Sequence, residues 1–96
     1  MKVTTRNTGA PKQTRWGRWW LDRRQPPSIN IRLTPWYVYE IMLDTCRSEA
    51  RRRHWLRHMA SKRFITARDI LNLRRAFEHL LEAEIIQEHD YSADYR

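Results

Sequence analysis

One stretch of the sequence determines the expected fold: Ser28-Ile29-Asn30-Ile31-Arg32-Leu33-Thr34-Pro35. Apolar and polar residues alternate strictly over its first seven positions, so Ile29, Ile31 and Leu33 would share one face of a strand. A lone strand leaves its own backbone groups without partners, so it must pair with the preceding segment or with a second copy of the chain. We therefore predict one strand over residues 28–34.

The residues that follow this strand favour a helix beginning at Pro35. Thr34 offers an N-cap hydroxyl, and proline suits the first helical position. An apolar stripe continues at helical spacing through Trp36, Tyr39, Met42, Leu43, Cys46 and Ala50. After Ala50 the apolar residues lie on a different side of the helix. Either the helix breaks near residues 46–49, with Ser48 as a new N-cap, or it continues and packs against different neighbours at its two ends. We prefer the break, and we expect Cys46 to be a small buried hydrophobe.

The last helix is predicted over residues 67–87. Thr66 and Asp69 have the spacing of a capping box, with aspartate in place of the usual Glu or Gln. A narrow apolar stripe follows at helical spacing, formed by Ile70, Leu73, Phe77, Leu80 and Leu81. Residues 89–96 are polar, which is typical of a flexible tail.

Tryptophan and arginine alternate in the segment before the strand. Residues 1–27 are expected to form a basic, partly disordered arm, and residues 28–88 a strand plus a helical domain. The fold class predicted is thus mainly α, with two or three helices, one short strand and a Trp-rich N-terminal arm. The arm contains three tryptophans that could stack or contact a partner, Trp16, Trp19 and Trp20. Four arginines lie between and after them: Arg15, Arg18, Arg23 and Arg24. Either these indoles stack on unpaired bases while the four arginines contact the phosphates, or they pack on the helices. We expect packing for one or two of them and a ligand or partner surface for the rest.

The composition restricts the class of protein. The chain has 96 residues, enough for one domain, and 41% are hydrophobic, enough for a small core. Its apolar runs are too short for a membrane span, so no membrane association is expected. The single cysteine excludes an internal disulfide framework and a multi-cysteine zinc site. A reducing compartment fits this composition, and we expect a cytoplasmic or nucleoid-associated protein.

Positive charge is concentrated towards the N-terminus. The whole chain carries +8, with +7 in residues 1–34, +4 in residues 35–65 and −3 in residues 66–96. Sixteen of the nineteen basic residues are arginines, which bind phosphates through two parallel hydrogen bonds. This distribution favours a polyanion or an acidic protein as the partner.

A helix over residues 47–58 would place a basic ridge on one of its faces. The ridge consists of Arg47, Arg51, His54 and His58, and it is flanked by Arg52, Arg53 and Arg57. Such a ridge would contact several phosphates, although a solvated helix face is the alternative. His54 and His58 also have the spacing of a metal pair, but no third ligand lies nearby in the sequence. We predict no metal, no cofactor and no enzymatic activity, since catalytic motifs and a phosphate-binding loop are lacking.

The run from Ile29 to Pro35 resembles the opening of ribbon-helix-helix DNA-binding proteins. The resemblance implies that two chains pair this strand into a ribbon that enters the major groove. Asn30 and Arg32 would then contact bases, with Ser28 or Thr34 as auxiliaries. The homodimer core would consist of Ile29, Ile31, Leu33 and the helix starting at Pro35. The usual glycine-containing turn between the two helices is missing, and Cys46-Arg47-Ser48-Glu49 stands in its place.

Two functions remain open at this point. The first is a non-enzymatic nucleic-acid-binding protein, a small dimeric DNA-binding regulator or accessory factor, with DNA preferred over RNA. The alternative is a protein-interaction module that docks its Trp/Arg arm and its apolar first helix on an acidic partner.

Overall fold

Four strands form one antiparallel sheet in chain order, and two helices follow them. The computed structural model describes residues 14–89, so the predictions for residues 1–13 and 90–96 lie outside the described residues. The strands are β1 (Arg15–Trp16), β2 (Trp19–Asp22), β3 (Ser28–Thr34) and β4 (Tyr37–Met42). A short 3-10 helix, Leu43–Thr45, leads to α1 (Glu49–Ala60) and α2 (Ala67–Glu82).

The prediction of a mainly α fold with one strand is wrong. The segment expected to begin a helix at Pro35 is instead a turn at residues 35–36 followed by β4. β4 has the sequence YVYEIM, in which aromatic and β-branched residues, typical of strands, predominate. Helical spacing and strand spacing both fit a short apolar run, and here the hairpin prevails because it supplies β3 with a hydrogen-bonding partner.

The predicted strand over residues 28–34 is confirmed as β3. β3 pairs with β4 on one side and, over Ser28 to Ile31, with β2 on the other, so its strand partners are found within the chain. Ile29 and Ile31 are fully buried in the core of the same chain. The ribbon of two copies that the ribbon-helix-helix resemblance implies stays a prediction.

The segment expected to be an N-terminal arm supplies two strands of the sheet. Trp16 and Trp19 are buried on the side of the helices, where each indole N–H finds an acceptor on α2. Trp16 Nε1 donates to His79 Nδ1 at 2.7 Å, and Trp19 Nε1 donates to the Asp69 carbonyl at 2.9 Å. These two residues therefore belong to the core.

Of the three predicted N-caps, Ser48 and Thr66 are confirmed, and Thr34 is wrong because a turn and a strand follow it. The Ser48 hydroxyl accepts from the Arg51 N–H at 3.1 Å, so the chain does break before α1. Thr66 and Asp69 form a reciprocal capping box at the start of α2. α2 ends at Glu82 rather than at residue 87, because Glu84 adopts a left-handed conformation with φ of 61° that stops the helix.

The core lies between the sheet and the helices. Its members include Ile41, Met59, Leu73 and Leu80, all fully inaccessible to solvent. Cys46 is also fully buried, as predicted, and burial raises the pKa of its thiol to about 12. A thiol with such a pKa stays protonated at neutral pH and is unreactive.

Candidate functional site

The sheet has two chemically different faces. Trp19 and Tyr39 lie in one row across the sheet, and both contact the helices. Side chains alternate along a strand, so the next row, with Trp20, Asn30 and Glu40, points away from the helices. We call this second surface the outer face.

A shallow depression of about 490 Å³ lies at one end of the outer face. Arg15 and Trp20 are paired in register there, and the Arg15 guanidinium lies 5.7 Å from the centre of the Trp20 ring system, a cation–π contact. Trp20 is half-buried, so part of its ring system remains accessible. We call this site the Arg–Trp depression; its lining residues are Arg15, Gly17, Arg18, Trp20 and Arg32.

Arg18 fixes the depression to the helical layer. Its Nε and Nη2 donate to the Asp69 carboxylate at 3.2 and 2.7 Å. Nη2 also donates to the Phe64 carbonyl at 2.6 Å, and Nη1 to the Arg32 carbonyl at 3.2 Å. The hydrogen bond to Asp69 raises the pKa of Arg18 despite the opposing effect of burial. Since a carboxylate compensates its charge, Arg18 chiefly shapes the depression.

Arg32 joins the depression to the tip of the β3–β4 hairpin. Its side chain is exposed, and Nη1 donates to the Pro35 carbonyl at 3.1 Å. The backbone N–H of Trp36 donates to Thr34 Oγ1 at 3.3 Å, which closes the same turn. Trp36 is 92% exposed. An arginine and an exposed indole are thus held by one two-residue turn.

The centre of the outer face is polar but nearly inaccessible. Ser28 is 1% exposed and Asn30 is 3% exposed. The Ser28 hydroxyl donates to Glu40 Oε2 at 3.1 Å and also lies 3.4 Å from Asn30 Oδ1. Of the two residues predicted to contact bases, Asn30 is therefore too deeply placed, whereas Arg32 is accessible.

Several of the predicted phosphate-binding arginines are engaged with carboxylates. Arg24 donates to Asp22 at 2.6 Å, and its side-chain hydrogen bonds lower the pKa of that carboxyl to about 2. Two further pairs join Arg52 to Glu88 at 2.7 Å and Arg53 to Glu49 at 2.8 Å. Arg52 is mostly buried, and its Nη1 also donates to the Cys46 carbonyl, so it holds the loop before α1 in place.

The remaining predicted arginines lie on other surfaces. Arg23 and Arg47 line a cavity near Pro27 and Leu43, at the end of the sheet opposite to Arg32. The exposed side chains of Arg51 and Arg57 belong to α1 in the helical layer. The structure therefore distributes the predicted nucleic-acid-binding residues among the outer face, the helices and this cavity instead of gathering them on one surface.

His54 and His58 belong to an aromatic cluster between α1 and β4. Their rings are nearly parallel, with centroids 5.9 Å apart, and both contact Trp55. His58 Nε2 lies 3.2 Å from the Tyr39 hydroxyl, and the Lys62 ammonium lies 4.7 Å from the centre of the Tyr39 ring. Within residues 14–89 no group of three or more His, Cys, Asp or Glu side chains could hold a metal ion.

The sequence-based interpretation missed Trp36 as a candidate contact residue. A signal was available, because Pro35 and Trp36 separate two runs rich in β-branched and aromatic residues, as a hairpin turn does. Assigning these two residues to a helix start placed Trp36 in an apolar helical stripe, where it would have been buried.

No protein-family model, curated protein or solved structure matches the chain. Neither helix in the described part of the chain is long and apolar enough to cross a membrane.

Proposed function

We propose that this protein binds nucleic acid through the Arg–Trp depression on the outer face of its sheet. The observation that carries the proposal is the placement of Arg15 and Arg32 around the half-buried Trp20, in a depression on the face of the sheet that points away from the helices. Guanidinium groups bind phosphate oxygens, and an indole offers a flat surface to a base.

The charge of the chain supports a polyanionic ligand. The net charge of +8 draws such a ligand over distances comparable to the Debye length, about 8 Å at physiological salt. At the depression itself, Arg32 has a backbone carbonyl, rather than a carboxylate, as its hydrogen-bond partner among the described residues. Its positive charge is therefore available to a phosphate.

Two of the features that suggested the protein-interaction alternative are engaged within the chain, whereas Trp20 of the predicted arm stays partly accessible. Trp16 and Trp19 are buried against α2 and cannot dock on a partner. The segment that was expected to form the apolar first helix is instead strand β4, which pairs with β3. The proposal covers DNA and RNA alike, because arginine–phosphate contacts and indole stacking do not depend on a ribose 2′-hydroxyl.

A salt titration with matched variants tests the proposal. Binding of a fluorescently labelled oligonucleotide should weaken steeply with salt, and Arg32→Ala should reduce the slope of log K against log[salt] by about one unit. Arg75→Ala, which removes an exposed arginine from α2, is the matched control and should change the slope little. Salt-independent binding, or equal effects of the two substitutions, would contradict the proposal.

A further inference from the structure

We infer, on the basis of the proposed function, that the nucleic acid is single-stranded and that Trp36 stacks on one of its unpaired bases. Trp36 is the most exposed large hydrophobic residue in the described part of the chain, at 92%. It lies at the hairpin tip that Arg32 shares with the Arg–Trp depression. The Trp36 indole could therefore stack on a base while the Arg32 guanidinium binds the phosphate of the same nucleotide.

The turn presents Trp36 in a defined position. Arg32 Nη1 donates to the Pro35 carbonyl, and the Thr34 hydroxyl accepts from the Trp36 N–H. Proline restricts φ just before the tryptophan. Since the backbone around Trp36 is already ordered, stacking on its ring costs less conformational entropy than ordering a free loop would.

Val38 and Arg32 lie between the hairpin tip and Trp20. Val38 is partly exposed and is aligned with Arg32 across the hairpin, on the outer face. Trp20 lies one strand further, with Arg15 over its ring. The molecule thus offers two accessible indoles, Trp20 beside Arg15 and Trp36 in the turn that Arg32 contacts, which is the combination used by proteins that bind single-stranded nucleic acids.

The dimensions of the sheet disfavour a duplex. Neighbouring strands lie about 4.8 Å apart, so the backbones of β1 and β4 are separated by about 14 Å. The major groove of B-DNA is about 12 Å wide and accepts a two-stranded ribbon, not a four-stranded sheet. Bases in a duplex also stack on one another, which leaves no base face for Trp36, whereas unpaired bases expose both faces.

Comparison of single-stranded and duplex ligands tests this inference. The probes are a labelled oligothymidylate of about 12 nucleotides and a duplex of the same length, measured by fluorescence anisotropy. Trp36→Ala should weaken single-strand binding about tenfold, in line with the measured effect of removing one stacking aromatic, and leave duplex binding unchanged. Trp36→Phe keeps an aromatic face and should restore most of the affinity. Circular dichroism should show an unchanged fold, since Trp36 contributes little to the core.

The outcomes separate this inference from the proposed function. If Arg32→Ala weakens binding of both ligands and Trp36→Ala weakens neither, the inference is overturned and the proposed function stands. If the protein binds neither ligand at low salt, both are overturned. If neither ligand binds and Trp36→Ala lowers the mass measured by light scattering, the hairpin tip is a protein contact instead.

Discussion

Asp69 links the sheet to the start of α2 through its carboxylate and its backbone carbonyl. It is 4% exposed, and its carboxylate accepts from Arg18 and from the Thr66 N–H. Its backbone carbonyl accepts from Trp19. Asp69 therefore contacts three parts of the fold: the turn between β1 and β2, the start of α2 and the tryptophan core.

Asp69→Asn should destabilise the protein by about 2 kcal/mol at pH 7, because it weakens the capping box and leaves Arg18 without its carboxylate. Burial raises the pKa of Asp69, but hydrogen bonds from Arg18 and Thr66 outweigh it, and the net pKa is lowered. A lowered folded-state pKa adds stability above the unfolded-state value of about 3.9, and this stability is lost as the pH falls through the folded-state pKa. Urea unfolding at pH 7 and at pH 3 measures both effects. The difference between wild type and variant should shrink at pH 3, and a constant difference would contradict the role of the ionised carboxylate.

Two of the three local caps could be predicted from the sequence, and contacts between distant residues could not. Ser48 and Thr66 were identified as N-caps because each cap is completed within three residues of sequence. The pair of Arg18 with Asp69 spans 51 residues, and that of Trp16 with His79 spans 63. No pattern within a window of the sequence reports such contacts, so the sequence could not identify which of the tryptophans are buried or what they pack against.

At the scale of elements, the hairpins decide the architecture. The β1–β2 hairpin closes through the two residues Gly17 and Arg18, and Gly17 has a φ of 60°. A residue with a Cβ atom is strained in this conformation. The Cβ would also collide with the side chain of Asn72 on α2.

Gly17→Ala should therefore destabilise the fold by about 1 kcal/mol or more. The physical reason is backbone strain together with displacement of the Asn72 side chain. Thermal unfolding followed by circular dichroism measures the effect, and Gly17→Ala combined with Asn72→Ala separates its two causes. If the double variant is as stable as Asn72→Ala alone, the collision accounts for the loss and strain does not.

The segment that forms β4 is one for which sequence periodicity cannot distinguish a strand from a helix. Over the six residues of Tyr37–Met42, apolar side chains occupy every position except Glu40, so neither a period of two nor one of 3.6 is distinctive. The N-cap pattern of Thr34-Pro35 then suggested a helix, although the same two residues also suit a turn. The decisive information is tertiary, since β3 needs a partner on each side.

At the scale of the whole molecule, the tryptophans divide between stability and contact. Trp19→Ala should cost about 3–5 kcal/mol, because it leaves a large cavity and removes the hydrogen bond to α2. Trp36→Ala is the matched control and should change stability by less than about 0.5 kcal/mol. Denaturant unfolding of both variants provides the comparison. Similar losses for the two would show that the hairpin tip also belongs to the folded core.

The free side of β4 has a practical consequence. Among the described strands, β4 pairs with β3 only, and Glu40 is the one charged residue along it. Exposed strand edges of low charge join edge to edge, and like charges on two molecules oppose this joining. Added electrolyte screens that repulsion while it also loosens phosphate contacts. Turbidity could then be mistaken for weakened binding, so titrations belong at dilute protein, with scattered light recorded at every step.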